Sequence, residues 1–198
     1  LSLVGQNFYG PRGSAGLYIR KGVHLSPLFD GGFQENGFRS GSENVPAIVG
    51  LGEAARIAKS EMADYKERMN QLRDKLIGNL KNMFSFLHIT GDEKDRLPGH
   101  VSFWIEYIEG ESLLLWYSLN GIFAASGSAC SSNILAEDEE DLQASHVLTA
   151  IGVPNDICAG SITFSMSKYT TEDEINKVIE VTPGIVKRLC EMSPYYNK

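Results

Sequence analysis

Residues 45–83 read VPAIVGLGEAARIAKSEMADYKERMNQLRDKLIGNLKNM, and they form the longest regular pattern in the chain. Apolar side chains recur at intervals of three and four while lysine and glutamate fill the other positions, which predicts one amphipathic helix. Pro46 is acceptable because it would lie in the first turn. A helix of this length usually connects two bodies, so we expect a domain remnant at 1–44, a linking helix at 45–83 and a small α+β domain at 84–198.

Short segments of apolar residues lie on both sides of this helix. Before it, residues 1–4 and 16–20 have the composition of strands, and residues 23–44 form a long loop with widely spaced glycines. After it, the patterns predict strands at 86–90, 101–107, 121–124 and 161–166, and helices at 112–118, 146–151 and from 172 onward. Together these elements indicate an α/β protein.

The final helix has clear start and interruption signals. Thr171 and Glu174 have the spacing of a capping box, which predicts that the helix begins there. Pro183 and Gly184 predict that the same helix is kinked or broken near its middle.

The composition excludes several classes of protein. The chain has 198 residues, 42% of them hydrophobic, with a net charge of -7 and no run of lysine or arginine, which argues against nucleic acid as the main partner. The apolar stretches are too short to span a membrane. Three widely spaced cysteines without a CxxC motif favour the cytoplasm or another reducing compartment, and the four scattered histidines argue against a metal site.

One cysteine has unusual surroundings. Residues 125–132 read ASGSACSS, with Cys130 among small residues, between a short apolar run and the acidic segment 133–141. Small neighbours leave a thiol accessible, and loops commonly carry reactive groups. Two interpretations remain open from the residues alone: a nucleophilic cysteine, or a free cysteine at the edge of the core.

Several motifs occur in an order that is similar to one known family. They are GQNFYGPRG at 5–13, GGFQE at 31–35, RSGSENVP at 39–46, EGESLL at 109–114, SGSACSS at 126–132 and SHVL at 145–148. This set resembles the NifS/IscS-type cysteine desulfurases of the class V aminotransferases, with selenocysteine lyases as relatives. The match covers only the C-terminal half of such an enzyme, and because the chain opens without Met inside an apolar strand, we expect a fragment or the second half of a larger protein.

The resemblance implies the C-terminal part of a fold-type-I transferase that uses pyridoxal phosphate. It implies that Cys130 attacks the substrate sulfur and becomes a persulfide, in sulfur transfer or iron–sulfur cluster assembly. It also implies a homodimer whose sites share residues, or a complementary N-terminal half as partner. A sulfur acceptor or an iron–sulfur scaffold protein would receive the sulfur.

The family's site positions are occupied by unusual residues here. The resemblance places Asn7 at the cofactor lysine, Gln6 at the neighbouring histidine and Val4 at the phosphate-binding serine. Ser42 retains a hydroxyl where family members contact the partner's cofactor phosphate. Thr163 stands where an arginine binds the substrate carboxylate. Because a carboxamide cannot form an imine, we expect the chain alone to hold the cofactor poorly.

Three hypotheses follow from this pattern. The first is a diverged desulfurase-family subunit or half, with little or no desulfurase activity of its own, whose Cys130 accepts or carries sulfur or ligates a metal cluster. The second is an active cysteine desulfurase or selenocysteine lyase in which another residue replaces the lysine. The third is a non-catalytic scaffold that retains only the fold and the dimerisation surface.

Overall fold

A computed structural model describes residues 1–126, 146–154, 161–194 and 196 of the chain. Contacts divide it into two compact units, which we call the first unit (Leu1–Asp64) and the second unit (Tyr65–Lys198). The long helix predicted at 45–83 is confirmed: α1 spans Val45–Met83. The boundary between the units therefore falls within α1.

The first unit contains a short hairpin. Strand β1 (Ser2–Val4) pairs antiparallel with β2 (Ala15–Leu17), and a 3-10 turn, Gly5–Phe8, follows β1 directly. The second strand is shorter than predicted because its pairing ends where the N–H of Tyr18 donates to the carbonyl of Leu1. Two-stranded sheets have little stability of their own, so this hairpin depends on neighbouring structure.

The long loop predicted at 23–44 is confirmed, with one short 3-10 turn at Gln34–Gly37. The hydroxyl of Ser40 donates to the carbonyl oxygen of Phe29 at 3.2 Å. The N–H of Gly41 donates to the side-chain oxygen of Gln34 at 3.2 Å. These bonds join the ends of the 29–41 segment, so the loop has a defined local shape.

The second unit is built on a four-stranded antiparallel sheet in the order β3–β4–β6–β5. Its strands are β3 (Leu87–Ile89), β4 (His100–Ile105), β5 (Ala125–Ser126) and β6 (Ile162–Ser165). Its helices are the second half of α1, α2 (Gly110–Leu119), α3 (His146–Ala150) and α4 (Glu172–Met192). The mixed α/β class predicted from the sequence is confirmed.

The strand predicted at 121–124 is wrong. These residues close α2: Gly121 has a φ of 75°, its N–H donates to the carbonyl of Ser118, and the N–H of Ile122 donates to the carbonyl of Tyr117. This pair of bonds is the Schellman motif, which satisfies the last carbonyls of a helix and favours glycine. The chain therefore becomes a strand only at Ala125.

Of the kink or break predicted near Pro183 and Gly184, the break is wrong, because α4 is continuous through both residues. Both lie on its exposed side, while the opposite side buries Ile175, Val178 and Val186 in the core. Continuous burial of an apolar face compensates for the backbone hydrogen bond that proline removes. The capping box at the start of α4 is confirmed: Thr171 and Glu174 bond each other's backbone N–H groups.

The core of the second unit lies between one face of the sheet and helices α1, α2 and α4. Phe103 is fully buried and contacts Phe164, with ring centroids 6.0 Å apart. Tyr117 is also buried, and its hydroxyl lies 2.8 Å from that of Thr182. Burial raises the pKa of Tyr117 to about 12, so this hydroxyl stays neutral. In the described part of the chain, no helix is long and apolar enough to cross a membrane.

His100 makes the second unit sensitive to acid. Burial, and secondarily the nearby Arg96 guanidinium, lower the pKa of His100. In the unfolded chain, His100 is protonated below about pH 6.5, whereas in the folded protein it is protonated only at lower pH. Its contribution to the free energy of unfolding is therefore fully present above that pH and is lost as the pH falls through the lowered pKa. We expect His100→Gln to flatten the decrease in urea midpoint between pH 7 and pH 5. His24→Gln, in an exposed loop, is the control; an unchanged slope in His100→Gln would contradict the expectation.

Candidate functional site

The 3-10 turn that carries Gln6 and Asn7 has little freedom to move. The N–H of Gly10 donates to the carbonyl of Gly5 at 2.8 Å, and Tyr9 closes the turn with a φ of 69°. A Cβ on Gly10 would lie 2.9 Å from the oxygen of Gly5, which real side chains do not tolerate. The backbone therefore fixes the turn, while the side chains of Gln6 and Asn7 are exposed on it.

The first half of α1 supports this turn. A Cβ on Gly50 would lie 2.5 Å from the Pro11 ring, so only glycine permits this approach. Asn44 caps the helix by accepting from the N–H of Ala47, and its amide donates to the carbonyl of Gly13, both at 3.4 Å. The close approach of Gly50 to Pro11 is visible only in the structure.

Ser42 lies in the same unit as Gln6 and Asn7. It is exposed and lies two residues before Asn44, which caps α1. Among the hydrogen bonds of the described residues, none joins Ser42 to Gln6 or to Asn7. The turn therefore brings two of the predicted cofactor-binding residues together, and the third is exposed elsewhere in the first unit.

Thr163 lies in the second unit, at the centre of strand β6. Its hydroxyl donates to the hydroxyl of Ser102 on β4 at 3.2 Å, and Ser102 is only 7% exposed. On its other side, Thr163 is opposite Ala125 of β5. The sequence did not single out Ser102, which alternates along β4 with the buried Val101 and Phe103 and therefore lies on the opposite face of the strand.

The predicted nucleophile, Cys130, lies outside the described residues, as does Cys158. Cys190, the third cysteine, is buried and free, and burial raises the pKa of its thiol. Cys190 is therefore a packing residue and a poor nucleophile.

A second polar cluster lies on the same sheet and was not predicted. The ring of His88 stacks on Trp104 with centroids 4.3 Å apart, and its Nε2 lies 2.7 Å from a carboxylate oxygen of Glu106. Leu148 of α3 packs against Trp104. The three polar and aromatic residues come from β3, β4 and the turn after β4, so only strand pairing reveals the cluster.

The residues of the turn do not fit covalently bound pyridoxal phosphate. The imine that holds this cofactor requires an amine, and Gln6 and Asn7 supply carboxamides only. Val4, before the turn, has an apolar side chain and cannot donate to a phosphate. The donor set therefore does not provide the attachment that the family resemblance implies.

Comparisons with known proteins agree on one family. The aminotransferase class-V model matches residues 1–178. Cysteine desulfurase IscS of Methanosarcina thermophila is 46% identical over 198 residues, which are 100% of this chain and 47% of that protein. Cysteine desulfurase IscS 1 of Archaeoglobus fulgidus is 43% identical over 100% of this chain and 50% of its own length. The chain thus spans about half the length of the curated relatives that it matches.

Solved structures agree with these relatives. A NifS-like protein matches with a TM-score of 0.78 and 35% identity, over 95% of this chain and 46% of that one. A NifS-like protein from Rickettsia africae matches with a TM-score of 0.79 and 27% identity, over 94% and 47% of the two chains. The ordered motifs, the α/β fold and these matches lead to one conclusion: the chain belongs to the aminotransferase class-V family.

Proposed function

We propose that this chain accepts and carries sulfur as a persulfide on Cys130, within sulfur transfer or iron–sulfur cluster assembly, without releasing sulfur from cysteine by itself. The observation that carries the proposal is the chemistry of the turn Gly5–Phe8, where the family position of the cofactor lysine is assigned to Asn7. A carboxamide forms no imine, so the step that prepares cysteine for cleavage lacks its covalent anchor. The position assigned to the nucleophile still has a thiol.

The sheet of the second unit supports the same proposal. Thr163, assigned to the position that binds the substrate carboxylate, has a hydroxyl that is already bonded to Ser102. A guanidinium binds a carboxylate with two charged hydrogen bonds, which one hydroxyl cannot replace. Free cysteine would therefore bind weakly here, whereas a persulfide delivered by another protein needs no such contact.

The transfer step is balanced without any external oxidant. The Cys130 thiolate attacks the outer sulfur of a donor persulfide, a new S–S bond forms on Cys130, and the donor's own S–S bond breaks. The donor leaves as a thiolate and takes up a proton from water. The outer sulfur keeps its oxidation state, and the reverse of the same step passes it to an acceptor thiol.

The donor in this proposal is an active cysteine desulfurase, and the acceptor is a sulfur-accepting protein or an iron–sulfur scaffold. Desulfurases of this family act as dimers, and we extend a dimeric or two-chain assembly to this protein. A persulfide carrier requires a reducing compartment, where thiols are not consumed by disulfide formation. The free, buried thiol of Cys190 is consistent with that setting.

Two incubations of the purified chain test the proposal. With pyridoxal phosphate and L-cysteine alone, we expect no sulfide above the buffer background. With L-cysteine labelled at sulfur and a catalytic amount of an active desulfurase, we expect close to one labelled sulfur per chain, which a reducing agent removes. Mass spectrometry of the peptide that contains Cys130 locates the added labelled sulfur.

Two other outcomes of these incubations would favour the two other functions, an active desulfurase or a non-catalytic scaffold. Sulfide and alanine production by the chain alone would contradict the proposal and indicate an active desulfurase with a substitute for the lysine. Absence of label in the second incubation, while the desulfurase labels a known acceptor in the same tube, would leave a non-catalytic scaffold. Heat-treated desulfurase is the control for label that free cysteine adds without the enzyme.

A further inference from the structure

The connection between β3 and β4, residues 90–99, contains two buried polar atoms that need a hydrogen-bond partner. They are Nη1 of Arg96 and Oγ1 of Thr90, and neither has a partner among the described residues. The other nitrogens of the guanidinium are bonded: Nε of Arg96 donates to the carbonyl of Asp92 at 2.7 Å, and Nη2 donates to the carbonyl of Thr90 at 2.5 Å. The backbone of this connection therefore fixes the guanidinium, and Nη1 is still able to donate.

Two more basic side chains lie close to Arg96. Arg73 of α1 is only 6% exposed, and it bonds a single oxygen of Asp74. Burial and, after it, the charge of Arg73 lower the pKa of Arg96. Burial and, after it, the charge of Arg96 lower the pKa of His100. We call Arg73, Thr90, Arg96 and His100 the basic cluster.

The carboxylates nearest to Arg96 are engaged elsewhere. A carboxylate oxygen of Asp92 accepts from two backbone N–H groups of its own turn, both at 2.7 Å. The carboxylate of Glu93 lies 2.8 Å from the ammonium group of Lys81. The charges of both carboxylates oppose the lowering of the pKa of Arg96, but among the hydrogen bonds of the described residues none joins either carboxylate to its guanidinium.

The basic cluster has the chemistry of an anion site. A buried donor without a partner costs free energy, and a buried charge costs more. A water molecule could accept from Nη1, but it would not reduce the repulsion between two guanidinium groups. An oxyanion accepts several hydrogen bonds and also supplies the opposite charge, and a guanidinium binds such groups with short, strong hydrogen bonds.

We propose that the basic cluster binds a small free oxyanion of the phosphate type, to which Nη1 of Arg96 and Oγ1 of Thr90 donate while Arg73 supplies a second positive charge. Arg96 is half-buried, so the ion approaches its guanidinium from solvent. Because both donor atoms are buried, the site favours a small free ion over a phosphate group carried by a larger molecule. The site lies within the second unit and is independent of sulfur transfer by Cys130.

Titration calorimetry of the full chain with inorganic phosphate tests the proposal, with the ionic strength held constant by sodium chloride. We expect saturable binding of one phosphate per chain, and an increase in the urea midpoint that follows the same saturation. The chain has a net charge of -7, so general attraction of anions to it is weak.

Three variants locate the bound ion. Thr90→Val removes the hydroxyl and keeps the carbonyl that Arg96 contacts, so it should preserve the fold and weaken phosphate binding at least about fivefold. Arg96→Lys should weaken binding at least about tenfold, because an ammonium group cannot donate in several fixed directions at once. Lys94→Gln is the matched control, since Lys94 is an exposed cation of the same connection, and it should change binding less than about twofold.

Four results would overturn the inference. They are the absence of saturable binding, an increase in the urea midpoint that sodium chloride alone reproduces, unchanged affinity in Thr90→Val, and equal weakening by Lys94→Gln. Thr90→Val keeps the test decisive if Arg96→Lys fails to fold, because the hydroxyl of Thr90 has no partner to lose among the described residues. Repeating the titration with Cys130→Ser separates this inference from the proposed function, since phosphate binding should persist when sulfur transfer is lost.

Discussion

Cys130→Ser is expected to abolish persulfide formation on this chain, with a decrease in transferred label of at least about 20-fold. The physical reason is that a serine hydroxyl stays protonated near neutral pH and is a much weaker nucleophile toward sulfur than a thiolate. The measurement is the labelled sulfur per chain after incubation with an active desulfurase and L-cysteine. The circular dichroism of the variant should match that of the wild type, because serine is similar in size to cysteine.

Cys190→Ser is the matched control for this experiment. Cys190 is buried and its pKa is raised, chiefly by burial, so its thiol supplies little thiolate to a donor persulfide. We expect Cys190→Ser to keep its label within about twofold of the wild type. Retention of the label by Cys130→Ser, or its loss in Cys190→Ser with the fold intact, would assign the sulfur to a different cysteine and contradict the proposed function.

Phe103→Ala should produce the largest loss of stability in the second unit. Phe103 is 0% exposed, lies in the central strand β4 and contacts Phe164 of the neighbouring strand. Removing a buried phenylalanine loses its transfer free energy and leaves a cavity, together about 3–5 kcal/mol of the free energy of unfolding. Chemical denaturation followed by tryptophan fluorescence measures this, because Trp104 is adjacent in the sequence.

The comparison is with Phe123→Ala, which removes the same side chain from a site that is 85% exposed. There we expect a change below about 0.5 kcal/mol, since little surface is withdrawn from water. A loss below about 1 kcal/mol for Phe103→Ala would mean that β4 does not form the centre of the core. Equal losses for both variants would contradict the burial that the structure assigns to them.

Local signals in the sequence were sufficient for most elements. The helix at Val45–Met83 has its apolar period, and Thr171 and Glu174 have the spacing of a capping box. Where the predictions failed, one local rule was outweighed by another interaction. The short apolar run at 121–124 was predicted to be a strand, but Gly121 uses its positive φ to end α2. Pro183 was predicted to interrupt α4, but burial of the opposite side keeps that helix continuous.

In the candidate site, too, some features can be predicted from the sequence and others cannot. The residue types at positions 7, 130 and 163 can be read directly, and their chemistry follows from the side chains alone. The partner of Thr163 cannot be read, because Ser102 is 61 residues away and meets it only through the pairing of β4 with β6. The stack of His88 on Trp104 likewise depends on the register of β3 against β4.

Residue types and their spacing were enough to predict the family, the α/β class, the extent of the long helix and the absence of an amine from the turn at Gly5–Phe8. Three features are visible only in the folded chain: the hydroxyl that bonds to Thr163, the close approach of Gly50 to Pro11, and the exposed apolar residues of the hairpin in the first unit. The two groups differ in the range of the interactions that produce them. Helix period, caps and side-chain chemistry depend on neighbours within a few residues, whereas strand pairing and burial depend on residues far apart in the chain.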